Sequence, residues 1–169
     1  MNFKLCVSEK MPDWDELPVA KLLFFPNSDD INKNIFAQAR ILYLSGHGLV
    51  CRIWSFETAP GAFSRLKLAL QAPEGELLLS FSYPVGAEAL LCGKPMETPV
   101  HRFFEGEDLQ GEYWGVEFFL SHKALAGCFG SVSAQIGRDF ILKGNIFSEN
   151  FSKARLFPEK YGDFIAVNY

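Results

Sequence analysis

The sequence is poor in the residues and motifs that carry most enzyme chemistry. It contains neither a GxSxG elbow, a P-loop, a GxGxxG fingerprint nor an HExxH motif. There are only three histidines, and no two of them have metal-ligand spacing: His47, His101 and His122. Carboxylate pairs for glycoside hydrolysis can be drawn from almost any chain with 20 acidic residues. We therefore expect a protein that is not an enzyme. A cysteine–histidine pair or another catalytic cluster that forms only in space is left open.

The chain also lacks strong charge clusters and long apolar runs. The 16 basic and 20 acidic residues give a net charge of −4, and no dense Lys/Arg cluster indicates nucleic acid as a partner. The apolar runs, such as residues 77–79, are much shorter than a membrane span. Residues 1–10 have no apolar stretch typical of a signal peptide. We therefore expect a cytoplasmic protein that binds neither nucleic acid nor a membrane.

Cysteine and acidic residues give little indication of a bound metal. The four cysteines form no CxxC pair, which favours free thiols packed as small hydrophobes: Cys6, Cys51, Cys92 and Cys128. The acidic doublets Asp29–Asp30 and Glu107–Asp108 contain oxygen ligands suited to a structural calcium ion. Solvated loop charges explain these doublets at least as well. The sequence therefore predicts no cofactor, with structural calcium as an alternative that is not favoured.

Aromatic and alternating segments dominate what remains. Aromatic residues make up 15% of the chain and include 17 phenylalanines, a composition that favours strands. Residues 36–44 and 49–56 flank a short turn containing glycine, as in a β-hairpin. The last long strand is predicted over residues 139–147, with an irregular tail over 148–169.

Only one helix is predicted. Ser121 is a good N-cap and Gly127 a good C-terminal stop, so the helix should lie near residues 121–126. Many short strands with so little helix predict one all-β domain over residues 1–169. We expect an antiparallel β-sandwich, immunoglobulin-like or jelly-roll-like.

Five segments together resemble the carbohydrate-binding module family 9 superfamily, especially its compact bacterial members formed by a whole chain. In chain order they are MPDWDELPVAK (11–21), LVCRIWSFE (49–57), ELLLSFSYPVGAEALLCG (76–93), YWGVEFFLSHKAL (113–125) and KGNIF (143–147). The resemblance covers nearly the whole chain in order and spacing. It implies a β-sandwich that binds a mono- or oligosaccharide without catalysis, by aromatic stacking and hydrogen bonding.

A sugar site needs a flat aromatic surface with polar groups fixed around it. Trp54 and Arg52 share one face of a predicted strand, and Glu57 follows at its end. We expect Trp54 to be the stacking platform, with Arg52 and Glu57 as polar partners. The alternative is that Trp54 belongs to the core and Arg52 lies over it at the surface. Three further candidate site residues lie later in the chain: Lys143, Asn145 and Phe157. For Asn145, satisfying neighbouring backbone groups is an equal alternative.

Two departures from the family pattern favour a different role. The long loop and acidic strand that usually follow the Arg-x-Trp strand are reduced here to residues 58–64 and a basic strand. The family's late tryptophan is replaced by Leu156-Phe157-Pro158. The alternative hypothesis is therefore an interaction or scaffold protein on the same fold with a decayed sugar site, which binds a protein partner or self-associates.

Overall fold

The computed structural model describes residues 1–24, 36–130, 141–150 and 153–168. These residues form thirteen strands, one α-helix and a short 3-10 turn over Trp14–Glu16. The first seven strands are β1 (Asn2–Ser8), β2 (Ala20–Leu22), β3 (Phe36–Leu44), β4 (Gly48–Phe56), β5 (Arg65–Ala72), β6 (Gly75–Ser82) and β7 (Gly86–Leu91). The remaining strands are β8 (Lys94–Met96), β9 (Val100–Asp108), β10 (Gly111–Ser121), β11 (Ile141–Glu149), β12 (Lys153–Arg155) and β13 (Gly162–Asn168). The helix α1 spans His122–Phe129. The mostly-β composition predicted from the sequence is confirmed.

The strands form one curled, half-barrel sheet. Eleven of them follow the order β8-β7-β6-β5-β11-β13-β1-β3-β4-β10-β9, with β12 paired to β11 and β2 to β3. The pairing is mixed, because β1 runs parallel to both of its neighbours, β13 and β3. The prediction of a purely antiparallel arrangement is therefore wrong. That prediction was based on hairpins, which pair strands that are neighbours in sequence. The hairpin pattern does not predict the partners of β1, because they are distant in sequence.

The core fills the inside of the curl, where the two halves of the sheet meet. On β4, Leu49, Cys51 and Ile53 are fully buried, while the residues between them face the other way. Phe81 of β6 stacks on Phe118 of β10, with ring centroids 4.9 Å apart. Alternation of apolar and polar residues thus sets an inner and an outer face, and the outer face remains free to carry a site.

The single helix begins where expected and ends later. The Ser121 hydroxyl accepts a hydrogen bond from the Ala124 N–H at 3.1 Å, the N-cap predicted from the sequence. The helix then continues past Gly127 to Phe129 and stops at Gly130, whose φ of 61° suits glycine. Leu125 and Phe129 are buried in the core. Their burial keeps the helix intact beyond Gly127, so the predicted end at residue 126 is wrong.

Replacing Gly127 with alanine should stabilise the protein. Gly127 lies inside α1, and a Cβ built there meets no atom within 4 Å. Alanine has a higher helix propensity than glycine, so the free energy of unfolding should rise by about 0.5–1 kcal/mol. Chemical denaturation of wild type and Gly127→Ala measures the difference. An unchanged or lower value would mean that this turn of the helix is not formed in solution.

The segment after residue 147 is more regular than predicted. Strand β11 extends to Glu149, and β12 and β13 follow it. Strand β13 pairs with both β11 and β1, so it lies inside the sheet. Residues 139 and 140, at the start of the predicted last strand, lie outside the described residues. The expectation of an irregular tail is wrong because Phe164, fully buried on β13, contributes to the core.

The cysteines are free, as predicted. Cys6 and Cys51 are buried, Cys128 is half-buried and Cys92 is exposed. Burial raises the pKa of the Cys6 and Cys51 thiols, which opposes formation of a reactive thiolate. In the described ranges of the chain, no helix has the length and apolar character needed to cross a membrane.

Candidate functional site

A cavity of about 280 Å³ lies on the outer face of β3, β4, β10 and β9. Cross-strand pairing arranges this outer face in two rows. One row contains Gln38, Trp54, Gly115 and Phe104, and the next contains Arg40, Arg52, Glu117 and Arg102. We call the cavity the arginine–tryptophan pocket. It is lined by Asp15, Gln38, Arg40, Arg52, Trp54, Phe56, Phe104, Asp108, Gln110 and Tyr113.

Two strand glycines make room for the aromatic rings of the pocket. A Cβ on Gly115 would lie 2.4 Å from Cζ of Phe104, so the Phe104 ring covers this glycine. A Cβ on Gly106 would lie 2.3 Å from the Tyr113 hydroxyl oxygen. The rings therefore lie across the sheet where other residues would present a side chain. This packing gives the pocket an aromatic floor next to its arginines.

Arg52 is held mainly by aromatic rings and has spare donors. Its guanidinium carbon lies 4.4 Å from the Phe104 ring centroid and 5.9 Å from that of Trp14. Its Nε lies 3.3 Å from Glu117 Oε1, without hydrogen-bond geometry. Among the described residues, no acceptor forms a hydrogen bond with this buried Nε. Arg52 is therefore fixed in place and still able to donate to a ligand.

Arg40 and Trp54 form the opposite side of the pocket. The Arg40 guanidinium lies over the Trp54 ring at 5.8 Å and donates to Asp15 Oδ1 at 2.9 Å. Trp54 is half-buried and points away from the core. Trp114, by contrast, is a core residue with 2% of its surface exposed. The two tryptophans therefore lie on opposite faces of the sheet.

Glu57 lies outside the arginine–tryptophan pocket and is occupied by structural hydrogen bonds. Its Oε2 accepts from the indole Nε1 of Trp114 at 3.0 Å, and its Oε1 accepts from the Ser64 hydroxyl at 2.5 Å. These contacts tie the end of β4 to β10 and to the loop before β5. Glu57 is therefore separated from Arg52 and Trp54, with which the sequence had grouped it.

Replacing Glu57 should therefore affect stability more than ligand binding. In Glu57→Ala the buried Trp114 N–H loses its acceptor, which should lower the free energy of unfolding by about 1–3 kcal/mol. Glu57→Gln keeps an acceptor oxygen and should lose less. Urea denaturation measures both variants. A variant that keeps its stability and loses ligand affinity would instead assign Glu57 to a binding site.

Lys143, Asn145 and Phe157 also lie away from the pocket. Ser148 of β11 donates to Ser55 of β4 across the core, so the outward residues of these strands lie on opposite sides of the molecule. Lys143 is exposed and pairs with Asp163 at 2.9 Å. Phe157 is 2% exposed and packs edge-on against Phe164, a core contact that leaves no ring face for a sugar.

Asn145 satisfies backbone groups, which was the alternative given for it. It is fully buried, and its Nδ2 donates to the carbonyl oxygens of Phe157, Glu159 and Lys160 at 3.1, 3.0 and 3.4 Å. Its Oδ1 accepts the N–H groups of Ile146 and Phe157. Both ends of the amide are thus used to hold the segment between β12 and β13.

A second cavity, of about 520 Å³, lies beside the first and is acidic. Its wall includes Glu57, Glu105, Glu107 and Glu112 together with Tyr83 and Tyr113. The neighbouring Glu105 carboxylate raises the pKa of Tyr83. In the described parts of the chain, no three His, Cys, Asp or Glu side chains are grouped to hold a metal. Asp29 and Asp30 lie outside these parts, and Asp108 accepts the Gln110 N–H at 2.7 Å.

The sequence identified the centre of the pocket and missed its surroundings. Gln38 and Arg40 alternate on β3 opposite Trp54 and Arg52, so the register of the predicted hairpin could have located them. Phe104 lies on β9 and Tyr113 on β10. Their ring positions depend on Gly106 and Gly115, two glycines within strands, which is the signal that could have indicated them.

Comparison with known proteins adds no relative. No family model, curated protein or solved structure matches the chain.

Proposed function

We propose that this protein is a non-catalytic carbohydrate-binding domain whose ligand is a mono- or oligosaccharide bound in the arginine–tryptophan pocket. The Trp54 ring would stack on the apolar face of one sugar, and Phe104 would add a second aromatic contact. Arg52 would donate to ring or hydroxyl oxygens, with Gln38 and Asp108 as further polar partners. Four residues predicted from the sequence do not belong to this site, because they lie outside the arginine–tryptophan pocket: Glu57, Lys143, Asn145 and Phe157.

The observation that carries the proposal is the state of Arg52. Its guanidinium carbon lies 4.4 Å from the Phe104 ring centroid, and its buried Nε has no hydrogen-bond acceptor among the described residues. Partly buried donors without acceptors are costly. A ligand rich in oxygen acceptors removes that cost, and the adjacent aromatic rings supply a surface for its apolar face. This combination of fixed donors and flat rings matches a sugar better than it matches an apolar ligand.

The pocket is sized for one sugar ring. Its volume of about 280 Å³ is near the lower end of ligand cavities, which begin at roughly 300 Å³. An oligosaccharide would therefore bind through one of its sugar units, and its other sugar units would remain in solvent. We also propose that the protein is related to the family 9 carbohydrate-binding modules. In that case the curled sheet is a two-layer sandwich. The proposed location is the cytoplasm.

Removing the Trp54 ring should abolish most of the binding. Isothermal titration calorimetry with a panel of neutral and acidic mono- and oligosaccharides should give a saturable signal for at least one of them. In Trp54→Ala the affinity should fall at least about tenfold, because aromatic anchors carry a large share of binding energy. Val50→Ala is the matched control, since Val50 lies on the same strand face outside the pocket.

Two results would contradict the proposal. If Trp54 serves in binding, Trp54→Ala should remain folded. An unfolded variant would instead make Trp54 a packing residue. An absence of heat with every sugar, confirmed by unchanged tryptophan fluorescence, would favour the alternative. The fold would then serve a protein partner or self-association, and analytical ultracentrifugation would be the next measurement.

A further inference from the structure

The row formed by Arg40, Arg52, Glu117 and Arg102, here called the arginine row, has an arrangement of charges that destabilises the unliganded protein. Arg40 of β3 lies directly opposite Arg52 of the neighbouring antiparallel strand β4. Like charges that face each other across neighbouring strands are destabilising. Both side chains are mostly buried, with 16% and 29% of their surfaces exposed, so water screens their repulsion only in part. This pair indicates that an anion completes the row.

Two acidic residues form ion pairs with the arginines of this row, and Asp108, which also lines the pocket, forms none with them among the described residues. Glu117 is shared, with Oε1 3.3 Å from Arg52 and Oε2 2.7 Å from Arg102. Asp15 pairs with Arg40, but its side chain is 99% exposed, and pairs with an exposed partner contribute little. Three guanidinium groups thus share two carboxylates. In addition, the Nε atoms of Arg40 and Arg52 are buried and form no hydrogen bond within the described parts of the chain.

We propose that the ligand is an acidic sugar of the uronic-acid type, whose carboxylate lies between Arg40 and Arg52 while its ring stacks on Trp54. This assignment rests on the proposed function. A guanidinium presents paired N–H donors that match the two oxygens of a carboxylate. The Arg40 guanidinium carbon lies 5.8 Å from the Trp54 ring centroid, so a carboxylate attached directly to a sugar stacked on the uncovered part of that ring reaches the arginines without a spacer.

The decisive comparison uses wild-type protein and four small sugars. Glucuronate, its neutral isostere glucuronamide, glucose and glucose 6-sulfate are each titrated by calorimetry at low salt. Charge-assisted hydrogen bonds should make glucuronate bind at least about tenfold more tightly than the two neutral sugars. Raising the salt to 0.5 M should reduce this preference, because it screens the partly exposed arginines.

A pair of variants assigns the preference to the pocket. Arg52→Gln should lose the preference for glucuronate over glucuronamide. Arg102→Gln should keep it, because Arg102 lies in the same row, is 69% exposed and does not line the pocket. Circular dichroism and thermal melting check that both variants are folded. The comparison of sugars on wild type stands even where a variant does not fold.

Each outcome separates this inference from the function on which it rests. Equal affinity for glucuronate, glucuronamide and glucose would overturn the acidic-sugar assignment and leave carbohydrate binding in place. Equal or tighter binding of glucose 6-sulfate would overturn the choice of a carboxylate. If Arg102→Gln lost the preference for glucuronate and Arg52→Gln kept it, then the carboxylate would not bind in the arginine–tryptophan pocket. Binding of none of the sugars, while the protein is folded, would overturn the proposed function as well.

Discussion

Replacing Asn145 with alanine is expected to lower the free energy of unfolding by about 3 kcal/mol or more. The side chain is fully buried and makes five hydrogen bonds to backbone groups. In Asn145→Ala the N–H groups of Ile146 and Phe157 lose their acceptor, and each unpaired buried group costs about 1–3 kcal/mol. Urea denaturation followed by circular dichroism measures the loss.

The matched control for Asn145 is Asn2→Ala. Asn2 lies on β1 and is exposed, so removing the same amide there should change stability by less than about 0.5 kcal/mol. A loss of less than about 1 kcal/mol in Asn145→Ala would show that water replaces the amide. The segment between β12 and β13 would then be held by packing alone.

Replacing Gly115 with alanine is expected to destabilise the sheet and to damage the pocket together. A Cβ there would lie 2.5 Å from the Ile53 carbonyl oxygen and 2.4 Å from Phe104 Cζ. The phenyl ring can move, but the carbonyl belongs to the pairing of β10 with β4. Overpacking of this kind costs about 1–3 kcal/mol, and the displaced Phe104 would release Arg52. Denaturation and sugar titration measure the two effects.

Two further variants test the cause of the Gly115 effect. Gly127→Ala makes the same substitution at a site with open space, and its expected effect has the opposite sign. Phe104→Ala combined with Gly115→Ala removes the contact with the ring and leaves the contact with the carbonyl. If the double variant is as stable as Phe104→Ala alone, then the backbone adjusts without cost and the clash with Ile53 is not the reason for glycine.

The sequence predicted local features well because each rests on neighbouring residues. The hairpin of β3 and β4, the cap at Ser121 and the outward face of Trp54 all follow from patterns within a few positions. The failures have the opposite character. Glu57 follows Trp54 closely in sequence but turns towards Trp114 at the strand end. Asn145 has the chemistry of a sugar contact, but the chain after β12 covers it, and no local pattern predicts that.

The site shows the same limit. Trp54 and Arg52 could be chosen from one strand because a strand face is a local property. Phe104 comes from β9, which reaches the pocket only through β10, and Trp14 comes from the first turn of the chain. Their approach to Arg52 depends on the order of strands in the sheet. That order was the part of the fold that alternation and turn signals left undetermined.

The position of β1 has a consequence for how the protein folds. Its pairing with β13 joins Asn2 to Asp163, at nearly the greatest separation in sequence that the chain allows. This seam connects the half of the sheet that ends at β8 with the half that ends at β9. Contacts so distant in sequence form late and slowly. The two halves must therefore remain soluble as incomplete sheets until β13 pairs with them. During that time the edges of β1 and β11 are unpaired, and these are the places where wrong strand pairing begins.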